Sequence, residues 1–264
     1  MQFRARWVTL LWMRILLSND DGVRAAGLAA LAEVAGHFGE VFVVAPTEER
    51  SGFSHALTLW NPLRLRELKS NWWACDGTPA DCVYLAVNQL KLEPDVVISG
   101  INPGPNLGHD VIYSGTVAAA MEGSHWGIPS IALSHLNHDP KTIEALAHQH
   151  LREVLERLIP LARTRPQTLN VNFPDVTKGP FAGMKVTKLG SRYYSSEIHE
   201  RRDPRGRRYY WIGGAAVTMA DIDGSDCNAV KDGHISVTPL GEDLTAHHAL
   251  QELKSDLDAG LDSK

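Results

Sequence analysis

Apolar residues along this chain fall into short unbroken runs and longer stretches with helical spacing. Met13-Arg14-Ile15-Leu16-Leu17, Glu40-Val41-Phe42-Val43-Val44-Ala45, Asp95-Val96-Val97-Ile98-Ser99-Gly100, Ser130-Ile131-Ala132-Leu133-Ser134 and Thr168-Leu169-Asn170-Val171-Asn172-Phe173 have the length and composition of buried strands. Between them, 27–35 reads as a helix ending near Gly36. A second helix opens with Thr78 as cap and Pro79 at its first position, carrying Val83, Ala86, Val87 and Leu90 on one face. A third starts at Gly115-Thr116-Val117. A fourth, long and amphipathic, carries Ile143, Leu146, Ala147, His150, Leu151, Val154, Leu155 and Leu158. Small antiparallel strands are expected at 57–59, 63–67 and 72–74. Strands alternating with helices predict an α/β fold with a doubly wound, mostly parallel sheet, whose last strand is 168–173.

Beyond about residue 178 the pattern changes. Segments 185–189, 207–212 and 234–238 read as strands, 197–206 as a charged loop and 242–261 as a final helix. A hairpin this polar has little core of its own, so it packs on a neighbour such as another subunit. The expected organisation is an extension at 1–12, a core at 13–177, and a hairpin with a carboxyl-terminal segment at 178–264.

With 264 residues, the chain can bury a substantial core. Its 26 Lys and Arg against 31 Asp and Glu leave a net charge of −5, with no cationic field to draw in a nucleic-acid polymer. Cys75, Cys82 and Cys227 are odd in number and lack Cys-x-x-Cys spacing, which points to a reducing compartment and no zinc site. No run of 18 apolar residues exists, so no membrane span is expected. Arg4 and Arg6 ahead of the apolar segment 7–12 faintly resemble a signal peptide, but Arg14 interrupts the run and no small-residue cleavage site follows. The chain is read as cytoplasmic, with Met13 an alternative start to Met1.

The first strand runs into Ser18-Asn19-Asp20-Asp21-Gly22. Carboxylates are costly to bury without partners, so the pair belongs at the strand's carboxyl end, where an open sheet holds its ligand crevice. Two acidic oxygen donors there point to a hard divalent cation, Mg²⁺ or Mn²⁺. The same residues also fit a turn followed by a helix N-cap. Loops at Arg50-Ser51-Gly52 and 101–114 should converge on the same edge, where the Ser51 hydroxyl and the Asn102 side-chain carbonyl complete an all-oxygen set. Each of these two also reads, alone, as a turn residue. The glycine-rich stretch 100–116 enters a helix at Ser114-Gly115-Thr116, whose unpaired amides and dipole suit a phosphate. The Ser114 and Thr116 hydroxyls and the Asn106 amide are further donors, although Ser114 also fits a plain cap and Asn106 a left-handed turn. Asp110 fits a role in orienting the loop, and His109 is a visitor to the site. No Lys follows as in a Walker loop, and the first strand ends in acids rather than a dinucleotide fingerprint.

With these segments in hand, the chain resembles the stationary-phase survival protein SurE family of metal-dependent 5′/3′-nucleotidases. The segments are Arg14-Ile-Leu-Leu-Ser-Asn-Asp-Asp-Gly22, Arg50-Ser-Gly-Phe-Ser54, Gly77-Thr-Pro-Ala-Asp-Cys82, the loop 100–123, Asn170-Val-Asn-Phe-Pro174 and His234-Ile-Ser-Val-Thr-Pro-Leu240. The resemblance implies metal ligands at Asp20, Asp21, Ser51 and Asn102, a Rossmann-like core, a protruding β-hairpin, and a carboxyl-terminal segment exchanged between subunits of a homodimer or homotetramer. Two departures stand out: the extension before Met13, and Ala118, where some members have Gly.

The expected activity is a metal-dependent phosphomonoesterase hydrolysing nucleoside 5′- and 3′-monophosphates, with short polyphosphate as a further candidate substrate. One Mg²⁺ or Mn²⁺ per subunit would activate a water. Asp20 or Asp21 would orient or deprotonate that water, while Asn106, Ser114, Gly115 and Thr116 bind the phosphoryl oxygens. The alternatives are a metal-dependent amidosugar deacetylase, which needs histidine ligands that Ser-Asn-Asp-Asp-Gly does not supply, and a non-catalytic oligomer that senses nucleotides through the same crevice.

Overall fold

In the computed structural model, which describes residues 12–164, 168–213 and 217–261, the unbroken apolar runs lie side by side in the middle of one sheet. The elements follow in the order β1 (Met13–Ser18), α1 (Ala26–Ala35), β2 (Gly39–Pro46), β3 (Leu65–Lys69), β4 (Trp72–Cys75), α2 (Pro79–Asn88), β5 (Val96–Pro103), α3 (Gly115–His125), β6 (Ser130–His135), α4 (Pro140–Leu146), α5 (Arg152–Thr164) and β7 (Thr168–Phe173). Then come β8 (Met184–Val186), β9 (Arg192–Tyr194), β10 (Ile198–Arg202), β11 (Arg208–Ile212), β12 (Val217–Met219), α6 (Asp226–Lys231), β13 (Ile235–Leu240) and α7 (Leu250–Leu261). The sheet runs β3-β4-β2-β1-β5-β6-β7-β13-β8. Its centre, from β4 through β7, is parallel.

Alternation along the strands divides the core between the two faces. Ile15 and Leu17 of β1 join Val43, Ile98 and Ile131 under α1, α4 and α5. Leu16 joins Val44 and Val97 under α2 and α3, against Cys82, Val83, Ala86 and Ala119. Strands covered on both faces need apolar residues at every position, which is why they read as unbroken runs. The α2 start is a capping box: the Thr78 hydroxyl accepts from the Asp81 amide at 3.1 Å, and the Asp81 carboxylate accepts from the Thr78 amide at 2.9 Å.

Several expectations need correcting. β7 is not the last strand, because β13 pairs with it antiparallel and β8 adds beyond, bringing Ile235 and Val237 into the main core. Residues 57–59 form no strand. Thr58 instead gives its amide and hydroxyl to Asp81, at 2.9 and 2.6 Å, which holds this stretch as a loop on the α2 start. The charged stretch 197–206 contains β10, paired with β11; both strands are exposed throughout, so charged residues are tolerated on either face. The long helix is broken by a π-helical turn at Ala147–Leu151. The final helix begins only at Leu250, after a turn in which Asp243 accepts from the Thr245 amide.

β1 lies between β2 and β5, so the chain leaves it first to one side and later to the other. That reversal opens a crevice at the carboxyl ends of β1 and β5. Helix α1 is pressed onto this region: a methyl group on Gly27 would collide with the Ile101 carbonyl oxygen, just before Asn102. Among the described residues no helix is long and apolar enough to cross a membrane. Gly27→Ala should therefore lower the unfolding free energy by roughly 1–3 kcal/mol, overpacking outweighing the gain in helix propensity. Urea denaturation followed by circular dichroism would show it, and a midpoint at or above that of the parent would refute the contact.

Candidate active site

At the end of β1 the turn is closed by Asn19, not by the acids. Asn19 Oδ1 accepts from the Gly22 amide at 3.2 Å, and its Nδ2 donates to the Gly22 carbonyl at 3.1 Å, with Gly22 at φ +102°. Helix α1 starts later, with Ala25 at its N-cap and no side-chain cap. Neither Asp20 nor Asp21 is used as a helix cap, so both carboxylates are left for the crevice.

Asp20 is buried and ties the loops together. Its Oδ1 accepts from the Thr116 hydroxyl, and its backbone carbonyl accepts from the Arg50 amide at 2.7 Å. Gly115 packs against it so closely that a Cβ there would lie 2.7 Å from Asp20 Cβ. Burial raises the Asp20 carboxyl above its ordinary range, opposed by the Thr116 hydroxyl and amide. Burial and then the charges of Asp20 and Glu49 push Asp21 up to about 7. Asp21 Oδ2 is buried without a hydrogen-bond partner.

One cleft of about 790 Å³ gathers Asp20, Asp21, Ser51, Asn102, Asn106 and Ser114, together with Glu49, Asp110, Tyr113, His138, Arg192 and Tyr194. Ser51 is exposed and donates to Glu49 Oε1 at 3.0 Å. Asn102 gives its amide nitrogen to the Gly104 carbonyl at 2.7 Å, which leaves its amide oxygen for a ligand. Ser114 caps α3, its oxygen accepting from the Val117 amide at 3.1 Å, and still has a proton to donate. Asn106 spends one amide hydrogen on Ser134 Oγ at 2.8 Å and keeps the other. Thr116 is fully buried behind Asp20, and neither it nor Gly115 lines the cleft. His109 is exposed and off the cleft; the histidine at the cleft is His138.

The loop that carries Ser51 is held at both ends. Beyond the Arg50–Asp20 bond, the Ser54 hydroxyl donates to the Ile112 carbonyl at 2.5 Å, and His55 Nε2 lies 2.8 Å from Glu122 Oε2. Burial raises the Glu122 carboxyl, but hydrogen bonds with His55 and Trp126 outweigh it and leave the group below its usual range. The loop after β5 is anchored by Asn170 and Asn172, whose amides donate to the Asn106 carbonyl at 2.8 and 3.0 Å.

The donor set fits a hard cation. Two carboxylates, one with a partnerless buried oxygen, meet a hydroxyl and an amide oxygen, and a third carboxylate stands alongside. Among the described residues, the one permanent cation lining the cleft, Arg192, is committed to Asp110. Among the described residues no group of three or more His, Cys, Asp or Glu could hold a metal, so a cation here would rest on this mixed oxygen set.

An α/β sheet with an acid pair at its switch point and an anion-ready helix start beside it defines a class of crevice that takes a cation together with an anion. Residues 15–196 match the family described as Survival protein SurE. The chain is 52% identical over 250 residues to the 5′-nucleotidase SurE of Anaeromyxobacter dehalogenans, covering 92% of this chain and 95% of that one. It is 48% identical over 243 residues to the 5′-nucleotidase SurE of Geotalea uraniireducens, covering 92% and 98%. The solved structure of the SurE protein from Aquifex aeolicus superposes with a TM-score of 0.77 at 38% identity, covering 92% of this chain and 98% of that one. The chain belongs to the SurE family.

The Asp21 carboxyl sets a pH dependence. In the unfolded chain it titrates at its ordinary 3.8, in the folded one at about 7. The unfolded state therefore loses its proton first, and the metal-free protein loses stability as pH rises from about 4 to about 7. Asp21→Asn in chelator-treated protein should raise Tm by roughly 2–4 °C or more at pH 8 and leave it unchanged at pH 4. Scanning calorimetry at the two pH values would test this; equal Tm values at pH 8 would exclude it.

Proposed function

We propose that this chain is a divalent-metal-dependent phosphomonoesterase that releases phosphate from nucleoside 5′-monophosphates. One observation carries the reading: an acid pair, with Asp20 bonded to Thr116 and one buried Asp21 oxygen left without a partner, sits against the N-terminus of α3, so sites for a cation and for an anion share one cleft. Phosphate esters are anions, and of the cleft's four carboxylates only Asp110 is paired with an arginine, so Asp20, Asp21 and Glu49 would repel one unless a cation intervened. The 5′-nucleotidase names of the relatives agree with this chemistry.

Asp20, Asp21, Ser51 and Asn102 would hold the cation, one Mg²⁺ or Mn²⁺ per subunit. Bound there, it would polarise the phosphoryl group and lower the pKa of a water. The chain's own residues do the rest. Thr116 fixes Asp20 from behind. Asp20 or Asp21 orients the attacking water and takes its proton. The Ser114 hydroxyl and the remaining Asn106 amide hydrogen donate to the phosphoryl oxygens as charge develops on them. Nucleoside 3′-monophosphates and short polyphosphate present the same terminal phosphoryl group and are further substrates of this reading. An amidosugar deacetylase is less well supported, because it wants two histidines with the acid pair and His138 is the one histidine lining the cleft among the described residues.

The segment 178–264 is proposed to build a homodimer or homotetramer. Ile198, Trp211 and Ile212 on the hairpin, with Leu253 and Leu257 on α7, are exposed apolar side chains of the kind an interface covers.

Purified protein given AMP should release phosphate with Mn²⁺ or Mg²⁺ and stop when a chelator is added. Asp20→Asn should cut the rate by at least about 100-fold while the far-UV circular dichroism stays that of the parent. Retained activity in the variant would overturn the ligand assignment. Metal-loaded parent that binds AMP without hydrolysing it would replace the enzyme with a nucleotide sensor.

A further inference from the structure

The cleft is several times larger than a phosphoryl group needs, and it is in the range of sites that enclose a whole small molecule. Part of its wall comes from outside the sheet. β9 and β12 form a two-stranded antiparallel ribbon in which Tyr194 lies directly opposite Val217, and both side chains line the cleft. Tyr194 is 54% exposed, an accessible aromatic face backed by a β-branched neighbour. The Arg192 guanidinium lies 5.4 Å from the centre of the Tyr194 ring and pairs through Nη1 with Asp110. Only 12% of the Arg192 side chain is exposed, so its pair with Asp110 is largely shielded from solvent and holds the guanidinium against the ring.

The arrangement is held from below. Asp226, fully buried, accepts from the Gly108 amide through Oδ2 and from the Gly190 amide through Oδ1, both at 2.8 Å. Those glycines stand two residues before Asp110 and Arg192 respectively, so one carboxylate sets the register of the loop against the ribbon.

We propose that the β9–β12 ribbon is the nucleoside-reading wall of the cleft: Tyr194, backed by Val217, stacks on the base, and Arg192, held by Asp110, fixes the ring in place. A base has a π-face for the ring to stack on. A small phosphate ester such as glycerol phosphate has no base to stack and gains nothing from the ring. The inference rests on the nucleotide-hydrolase reading, and it adds residues that choose among phosphate esters.

Isothermal titration of the parent, Tyr194→Ala, Tyr194→Phe and Tyr193→Ala with AMP and with inorganic phosphate, each in Mn²⁺, tests it. Tyr193 is the control, since strand alternation turns it to the other face of the ribbon and it does not line the cleft. Tyr194→Ala should bind AMP about 10-fold more weakly, with phosphate binding changed by less than about 2-fold, and Tyr194→Phe should restore AMP binding. In turnover, the kcat/KM ratio of AMP to glycerol phosphate should fall by the same factor, through KM. Equal AMP affinity in the parent and Tyr194→Ala, or equal weakening of AMP and phosphate, would overturn the inference. Parent that binds AMP through Tyr194 but releases no phosphate would overturn the hydrolase reading and leave the nucleoside wall standing.

Discussion

The catalytic edge depends on how Asp20 is held. Its side chain is bonded to Thr116 at the start of α3, and its backbone carbonyl is bonded to the amide of Arg50 in the loop after β2. One residue therefore fixes the β1 turn, the Ser51 loop and the phosphate-ready helix relative to one another. The bonds to Asp20 also explain why Gly115 has no side chain, since a Cβ would push the helix off Asp20. Holding a carboxylate this deep is unfavourable, as its raised pKa shows.

The sheet makes this possible. Because β1 has β2 on one side and β5 on the other, loops that follow three separate strands end at one crevice. The core beneath is apolar on both faces of the strands, so the loops that carry the polar residues of the crevice stand on a rigid support. Further in, Asn170 and Asn172 on β7 reach across to the Asn106 carbonyl, and Asn172 Oδ1 accepts from the Asn106 amide at 2.8 Å. That network anchors the glycine- and proline-rich loop at Asn106.

The central strands, the α2 capping box and the meeting of Asp20, Asp21, Ser51 and Asn102 at one edge were legible because each leaves a local mark. Unbroken apolar runs, Thr78-Pro79 and adjacent carboxylates after a strand are readable within a few residues. The place of Thr116 was not, because whether a hydroxyl at a helix start faces a ligand or a neighbouring carboxylate depends on a residue 96 positions away. The β13 pairing was missed for a similar reason, since an antiparallel return to β7 is set by which sheet edge is free. Asn170 and Asn172 did carry a signal that went unused: two amides at alternate positions of a buried strand must find polar partners.

Arg192 and Tyr194 show the limit of local reading most clearly. Ser-Arg-Tyr-Tyr-Ser has no motif spacing, and the ribbon that holds it pairs with no strand of the main sheet. What brings it to the cleft is Asp226, more than thirty residues further on, whose two oxygens hold the amides of Gly108 and Gly190. The last third of the chain is thus more than an appendage to the core. It returns β13 to the sheet edge, carries the carboxylate that docks the ribbon, and with that ribbon walls the cleft that the first third of the chain begins.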